Sequence, residues 1–154
     1  MTQIVFYRTA PLKLEKTLIS LLEKSYEGNH NSLILFENKE NCSKINELLW
    51  TYDEDTFLAH TFEDDTICNS INIPIHLSTK FDSEYKANLL FLVDGFIPGE
   101  IKFFERVIII IDVNDNILMQ KYKNYYHEIK SNYKDIVFYK LNDNGKWIKE
   151  NFMR

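Results

Sequence analysis

Glycine and proline are scarce in this chain of 154 residues, which has four of the first and three of the second. Gly28, Gly95, Gly99 and Gly145 form neither GxGxxG nor GxxxxGKS/T. A pyrophosphate therefore finds no glycine-lined turn to approach. Cysteine is nearly absent too. Cys42 and Cys68 stand alone with no CxxC between them, and read as reduced thiols rather than as a disulfide or a metal site. His30, His60, His76 and His127 show no HxH or HExxH spacing, so no metal and no other cofactor is expected. There is no GxSxG nucleophile motif. The longest apolar runs, such as Val107 to Ile111, are far too short to span a bilayer. The first residues lack the basic-then-apolar pattern of an export signal. These absences lead to the expectation of a cytoplasmic protein with no membrane contact.

What is present suits a packed domain. Apolar residues make up 45% of the chain and aromatics 14%, enough for a core, and the length fits one domain over 1–154. The 23 acidic residues outnumber the 18 Lys and Arg, so the chain as a whole should repel nucleic acid, and no direct nucleic-acid binding is expected. The charge is uneven, however. Residues 117–154 hold 8 Lys and Arg against 4 Asp and Glu, so the last quarter can attract an anion locally.

The order of elements favours an α/β fold. Residues 3–8 read as a strand, and Pro11 as the opening of a helix with Leu12, Leu14, Leu18, Leu21 and Leu22 on its apolar stripe. Gly28 ends it. Ser32 to Phe36 reads as a buried strand and 39–50 as a helix with Ile45, Leu48 and Leu49 inward. This βαβα order predicts a parallel sheet with helices on its faces. Residues 51–70 read as a loop and 71–77 as an edge strand, because of Pro74. Asn88 to Val93 reads as buried strand, Ile101 to Arg106 as a short helix, and Val107 to Ile111 as the central strand. Asp115 or Asn116 caps a helix running to about 132, and Ile136 to Leu141 is the last strand expected.

Three places carry candidate chemistry. The acidic cluster Glu63-Asp64-Asp65 reads as a solvated loop rather than a cation site. Trp50, Phe57 and His60 fit either a core or an exposed aromatic anchor for a partner. On the long helix, Leu118, Tyr122, Tyr125 and Ile129 form a core-facing stripe. Met119, Lys123, Tyr126, His127 and Lys130 share a second face. A lysine-bearing face is commonly just solvated. This one also suits an acidic peptide ending in an aromatic residue, with lysines on carboxylates and Tyr126 flanking an apolar pocket. The runner-up reading is a nucleotide-binding enzyme on a Rossmann-like scaffold.

A series of short segments then resembles one family. They begin with Phe6-Tyr-Arg8, Pro11-Leu12 and Leu21-Leu-Glu-Lys24. Leu48-Leu-Trp50, Phe57-Leu-Ala-His60, Ile73-Pro-Ile75 and Asn88-Leu-Leu90 follow. Phe104-Glu-Arg-Val107, Asp112, Val137-Phe-Tyr139 and Asp143-Asn-Gly-Lys-Trp147 complete the series. In order and spacing they resemble the chi subunit of bacterial DNA polymerase III, a clamp-loader accessory family. The resemblance implies a three-layer α/β/α sandwich with a mostly parallel central sheet, and no catalysis. It implies two partners: the acidic, phenylalanine-terminated tail of the single-stranded-DNA-binding protein, and the psi subunit or an equivalent clamp-loader component. The family's basic-aromatic helix pattern falls on Lys123, Tyr126, His127 and Lys130, with Met119 on the same face. Lys123 stands where arginine is common, so a bidentate contact is lost. His127 stands where lysine is common. The psi-facing segment falls on Trp50, Phe57 and His60, with Ala59 where proline is usual.

Overall fold

A computed structural model describes residues 2–52, 58–62, 74–81, 86–142, 144–151 and 153. Among them, three helices and an eight-stranded sheet form an α/β fold. The strands are β1 (Gln3–Thr9), β2 (Ser32–Leu35), β3 (His60–Phe62), β4 (Ile75–Ser78), β5 (Leu89–Leu92), β6 (Arg106–Asp112), β7 (Ile136–Leu141) and β8 (Trp147–Lys149). The helices are α1 (Leu14–Glu27), α2 (Lys39–Thr51) and α3 (Asn116–Ile129). The sheet order is β3-β4-β2-β5-β6-β1-β7-β8, parallel throughout except for the β7–β8 pair. β6, an unbroken aliphatic run from Val107 to Ile111, lies inside the sheet between β5 and β1, as an apolar strand covered on both faces should.

Alternation along each strand sorts the core into two layers. Ile4, Phe6, Leu90, Leu92, Ile109 and Ile111 face α3, which contributes Leu118, Tyr122, Tyr125, Tyr126 and Ile129. Ile34, Phe91, Ile108 and Ile110 face the other way, onto Leu18, Ile19 and Leu22 of α1 and Ile45 and Leu49 of α2. The sheet is thus sandwiched between one helix and two, the three-layer arrangement expected from the sequence.

Several expectations need correction. Pro11 does not open α1. Residues Ala10 to Lys13 form a turn, closed by Lys13 N–H donating to the Ala10 carbonyl, and the helix begins at Leu14. Leu12 leaves the predicted apolar stripe altogether. It sits at φ 61° and is 95% exposed, its N–H held by the Asp112 carboxylate. β4 is not an edge strand, because β3 pairs with its outer side. Pro74 stands just before β4, where a missing N–H costs no ladder bond, and its carbonyl accepts from Ser32 N–H. Residues 71–73 lie outside the described residues. The short helix expected over 101–106 is a single turn, with Phe104 N–H donating to the Ile101 carbonyl and both side chains entering the core. Part of the 51–70 loop is the strand β3, and β7 is followed by a further strand, β8. Cys42 is buried, as expected, while Cys68 and the Glu63-Asp64-Asp65 cluster lie outside the described residues.

Candidate functional site

The α3 residues come together as a graded face rather than a uniformly exposed one. Asp115 caps the helix by accepting from Leu118 N–H at 2.9 Å, which fixes its phase. His127 and Lys130 are exposed, and Lys123 and Met119 are half-buried. Met119 packs at the margin of the core. Tyr126 is only 7% exposed. Its ring stands edge-on to Phe6 and to Phe138, with centroids 6.2 and 5.2 Å away, and touches the His127 ring at 5.3 Å. Tyr126 thus belongs to the core and reaches the surface only at its margin. The reason is helical phase, since position 126 is one turn after core residue Tyr122.

Beside this face lies a hollow of about 250 Å³, lined by Ile136, Val137, Phe138, Lys149, Glu150 and Asn151. Phe138 is shared between the hollow and the Tyr126 contact. Lys123 and Lys130 have no ion-pair partner among the described residues. Their neighbour Lys121 differs, donating to both carboxylate oxygens of Glu37 at 2.8 Å. A carboxylate arriving at the first two need not displace an internal one.

The second group lies on the opposite layer. Trp50, near the end of α2, is 57% exposed, and its ring meets the His60 ring at 4.6 Å. His60 is buried. Its Nδ1 donates to the Leu58 carbonyl at 2.8 Å, and its Nε2 meets the Asn46 carboxamide at 3.0 Å. The histidine is therefore a strut that fixes the tryptophan, while Trp50 offers the accessible surface. Phe57 lies outside the described residues.

Sequence reasoning missed a third feature. Beyond the C-terminal ends of β2, β5 and β6, the starts of all three helices enclose a cavity of about 430 Å³. This is where an open parallel sheet ordinarily takes a ligand: β6 and β1 are neighbours whose following helices pass to opposite faces. Glu15, Asp94, Asp112 and Asp115 line it, with Lys44 the cation among the lining residues. Lys44 is paired with Glu15 at 3.1 Å. Asp94 accepts from the N–H groups of Glu37 and Asn38, and Asn38 caps α2 by accepting from Glu40 N–H. The chain's own acceptors thus occupy amides at the starts of α2 and α3, and the lining charge repels a nucleotide phosphate. The signal was available only as scattered aspartates at strand ends. Among the described residues no three His, Cys, Asp or Glu side chains could hold a metal ion, and no helix is long and apolar enough to cross a membrane.

Comparison with known proteins agrees with this architecture. Residues 1–137 match the family described as DNA polymerase III chi subunit, HolC. The match takes in all of α3 and stops inside β7. A probable DNA polymerase III subunit chi from Rickettsia prowazekii (strain Madrid E) is 27% identical over 124 residues, covering 76% of this chain and 74% of that protein. This chain belongs to the DNA polymerase III chi subunit family, accessory proteins of DNA replication.

Proposed function

We propose that this chain is a non-catalytic adaptor of the replication machinery. It binds the acidic, phenylalanine-terminated tail of the single-stranded-DNA-binding protein on α3. It binds a psi subunit or an equivalent clamp-loader component around Trp50. The observation that carries the reading is the row Lys123, His127 and Lys130 on one side of α3, next to the Tyr126–Phe138 ring pair and its hollow. Carboxylates of the tail pair with the lysines, and the terminal aromatic ring packs where Phe138 lines the hollow. Because the two surfaces sit on opposite layers, one partner does not block the other. Affinity is modest, since a mobile tail must be ordered on binding, and it falls with salt because the cations are solvated.

The test is a calorimetric titration with a synthetic acidic peptide ending in phenylalanine. Lys123→Ala should weaken binding by about 1–2 kcal/mol, the range for losing a charge-assisted contact. An unchanged affinity in that variant refutes the assignment.

A further inference from the structure

The sheet ends at β8, whose outer side pairs with no other strand among the described residues. The β7–β8 register decides which backbone groups are left over. Glu150 N–H donates to the Phe138 carbonyl and Asn142 N–H to the Lys146 carbonyl, so positions 146, 148 and 150 turn their backbone groups toward β7. Trp147 and Lys149 therefore turn theirs outward, and neither has a backbone partner on that side among the described residues. Such an open edge is a template for another strand. Between them stands Ile148, 45% exposed, and the Trp147 ring is steadied edge-on by Tyr7 at 5.0 Å.

This edge is complementary to itself. Two copies of β8 running antiparallel about a twofold axis at Ile148 use every outward group, because Trp147 of each exchanges both backbone bonds with Lys149 of the partner subunit. Every facing pair in that register is compatible. Trp147 sets an aromatic face beside the cation of the partner subunit's Lys149. Lys146 meets the opposite charge of the partner subunit's Glu150. Glu150 is held by Arg8 at 3.4 Å and, as a carboxylate, keeps acceptor capacity. Ile148 packs on Ile148 of the partner subunit, which takes two aliphatic side chains out of water. Other registers do worse. An axis at Lys149 sets two ammonium groups face to face, and an axis at Trp147 leaves Lys149 opposite the turn at Gly145. We propose that β8 is the contact through which this chain pairs with a second copy, joining the two sheets into one. An axis perpendicular to the sheet leaves both α3 helices on the same side. The contact is short, below the ~1,200 Å² of a stable interface, and each copy carries a net charge of −5, so the pairing is weak and concentration-dependent.

The experiment is sedimentation equilibrium of the full chain, carried up to roughly 1 mM, where a monomer–dimer equilibrium should appear. Lys149→Pro removes an outward N–H and leaves the bonds to β7 in place, so it should weaken the dimer by about tenfold or more. Ile148→Lys, at an exposed position, should do the same by setting two cations across the axis. Ile148→Cys should cross-link two copies under mild oxidation, because the axis brings that position against itself, whereas Asn144→Cys, equally accessible in the turn, should not. The cysteine pair decides the matter even where the proline variant fails to fold. A monomer at every concentration overturns the proposal, as does a dimer that Ile148→Lys leaves intact. Equal cross-linking from position 144 also overturns it. Lys123→Ala should leave the association unchanged, so the result is independent of the tail-binding reading.

Discussion

At the scale of single residues, two tyrosines one turn apart on α3 separate what a hydroxyl does from what a ring does. The Tyr122 hydroxyl accepts from Gly95 N–H at 3.0 Å and donates to the Phe96 carbonyl at 3.3 Å, pinning the loop after β5 to the helix. Gly95 is required there: its φ is +103°, and a Cβ would stand 3.0 Å from a Glu37 carboxylate oxygen. The Tyr125 hydroxyl is buried with no hydrogen-bond partner among the described residues. Tyr122→Phe should therefore cost about 1–2 kcal/mol, because it orphans a buried N–H. Tyr125→Phe should be neutral or slightly stabilising. Urea denaturation of the two variants checks the contrast, and equal losses would contradict it. Leu12 marks the limit of residue-level reading. Its place in the Leu12–Leu22 pattern made it look like core, but Asp112, a hundred positions later, draws its N–H into a left-handed turn and turns the side chain outward. No local pattern encodes that contact.

At the scale of elements, periodicity identified the long helices and the buried strands. The stripe Leu118, Tyr122, Tyr125, Ile129 packs as spaced, and Asp115 caps α3 as its position suggested. Asp115→Ala should cost about 1 kcal/mol of stability, whereas Asp115→Asn, which can still accept from Leu118 N–H, should cost little. Thermal unfolding of both checks this, and an asparagine variant as damaged as the alanine one would mean that charge rather than capping matters. The two three-residue strands, β3 and β8, were not legible, because so short a segment shows less than one full alternation. Their pairing comes from neighbours: β4 holds β3, and the turn at Gly145 folds β8 back on β7. The candidate site was legible in the same uneven way. Lys123, His127 and Lys130 came from spacing, the core position of Tyr126 needed the Phe6 and Phe138 rings, and the crevice needed the sheet order.

At the scale of the whole molecule, packed phenols govern the response to alkali. Burial raises Tyr122, Tyr125 and Tyr7 above the ordinary value of 10.0. Tyr133 is raised by desolvation and by its hydrogen bond to Glu100. A folded-state value above the unfolded one means that the folded chain holds these protons more tightly. The corresponding stability is fully present below about pH 10 and is lost as pH rises further, when the unfolded chain ionises first. Denaturation midpoints should therefore fall across the alkaline range, with part of the tyrosinate absorbance appearing only on unfolding. A midpoint that stays level into strong alkali would contradict this.

The pairing of Gln3 with Arg106 has a consequence for how the chain is made. Both neighbours of β1 arrive about a hundred residues or more after it, so this apolar ribbon leaves the ribosome long before either flank exists. Throughout that interval its open edges are available to any other nascent strand, and assembly can finish only when the later segments insert around it.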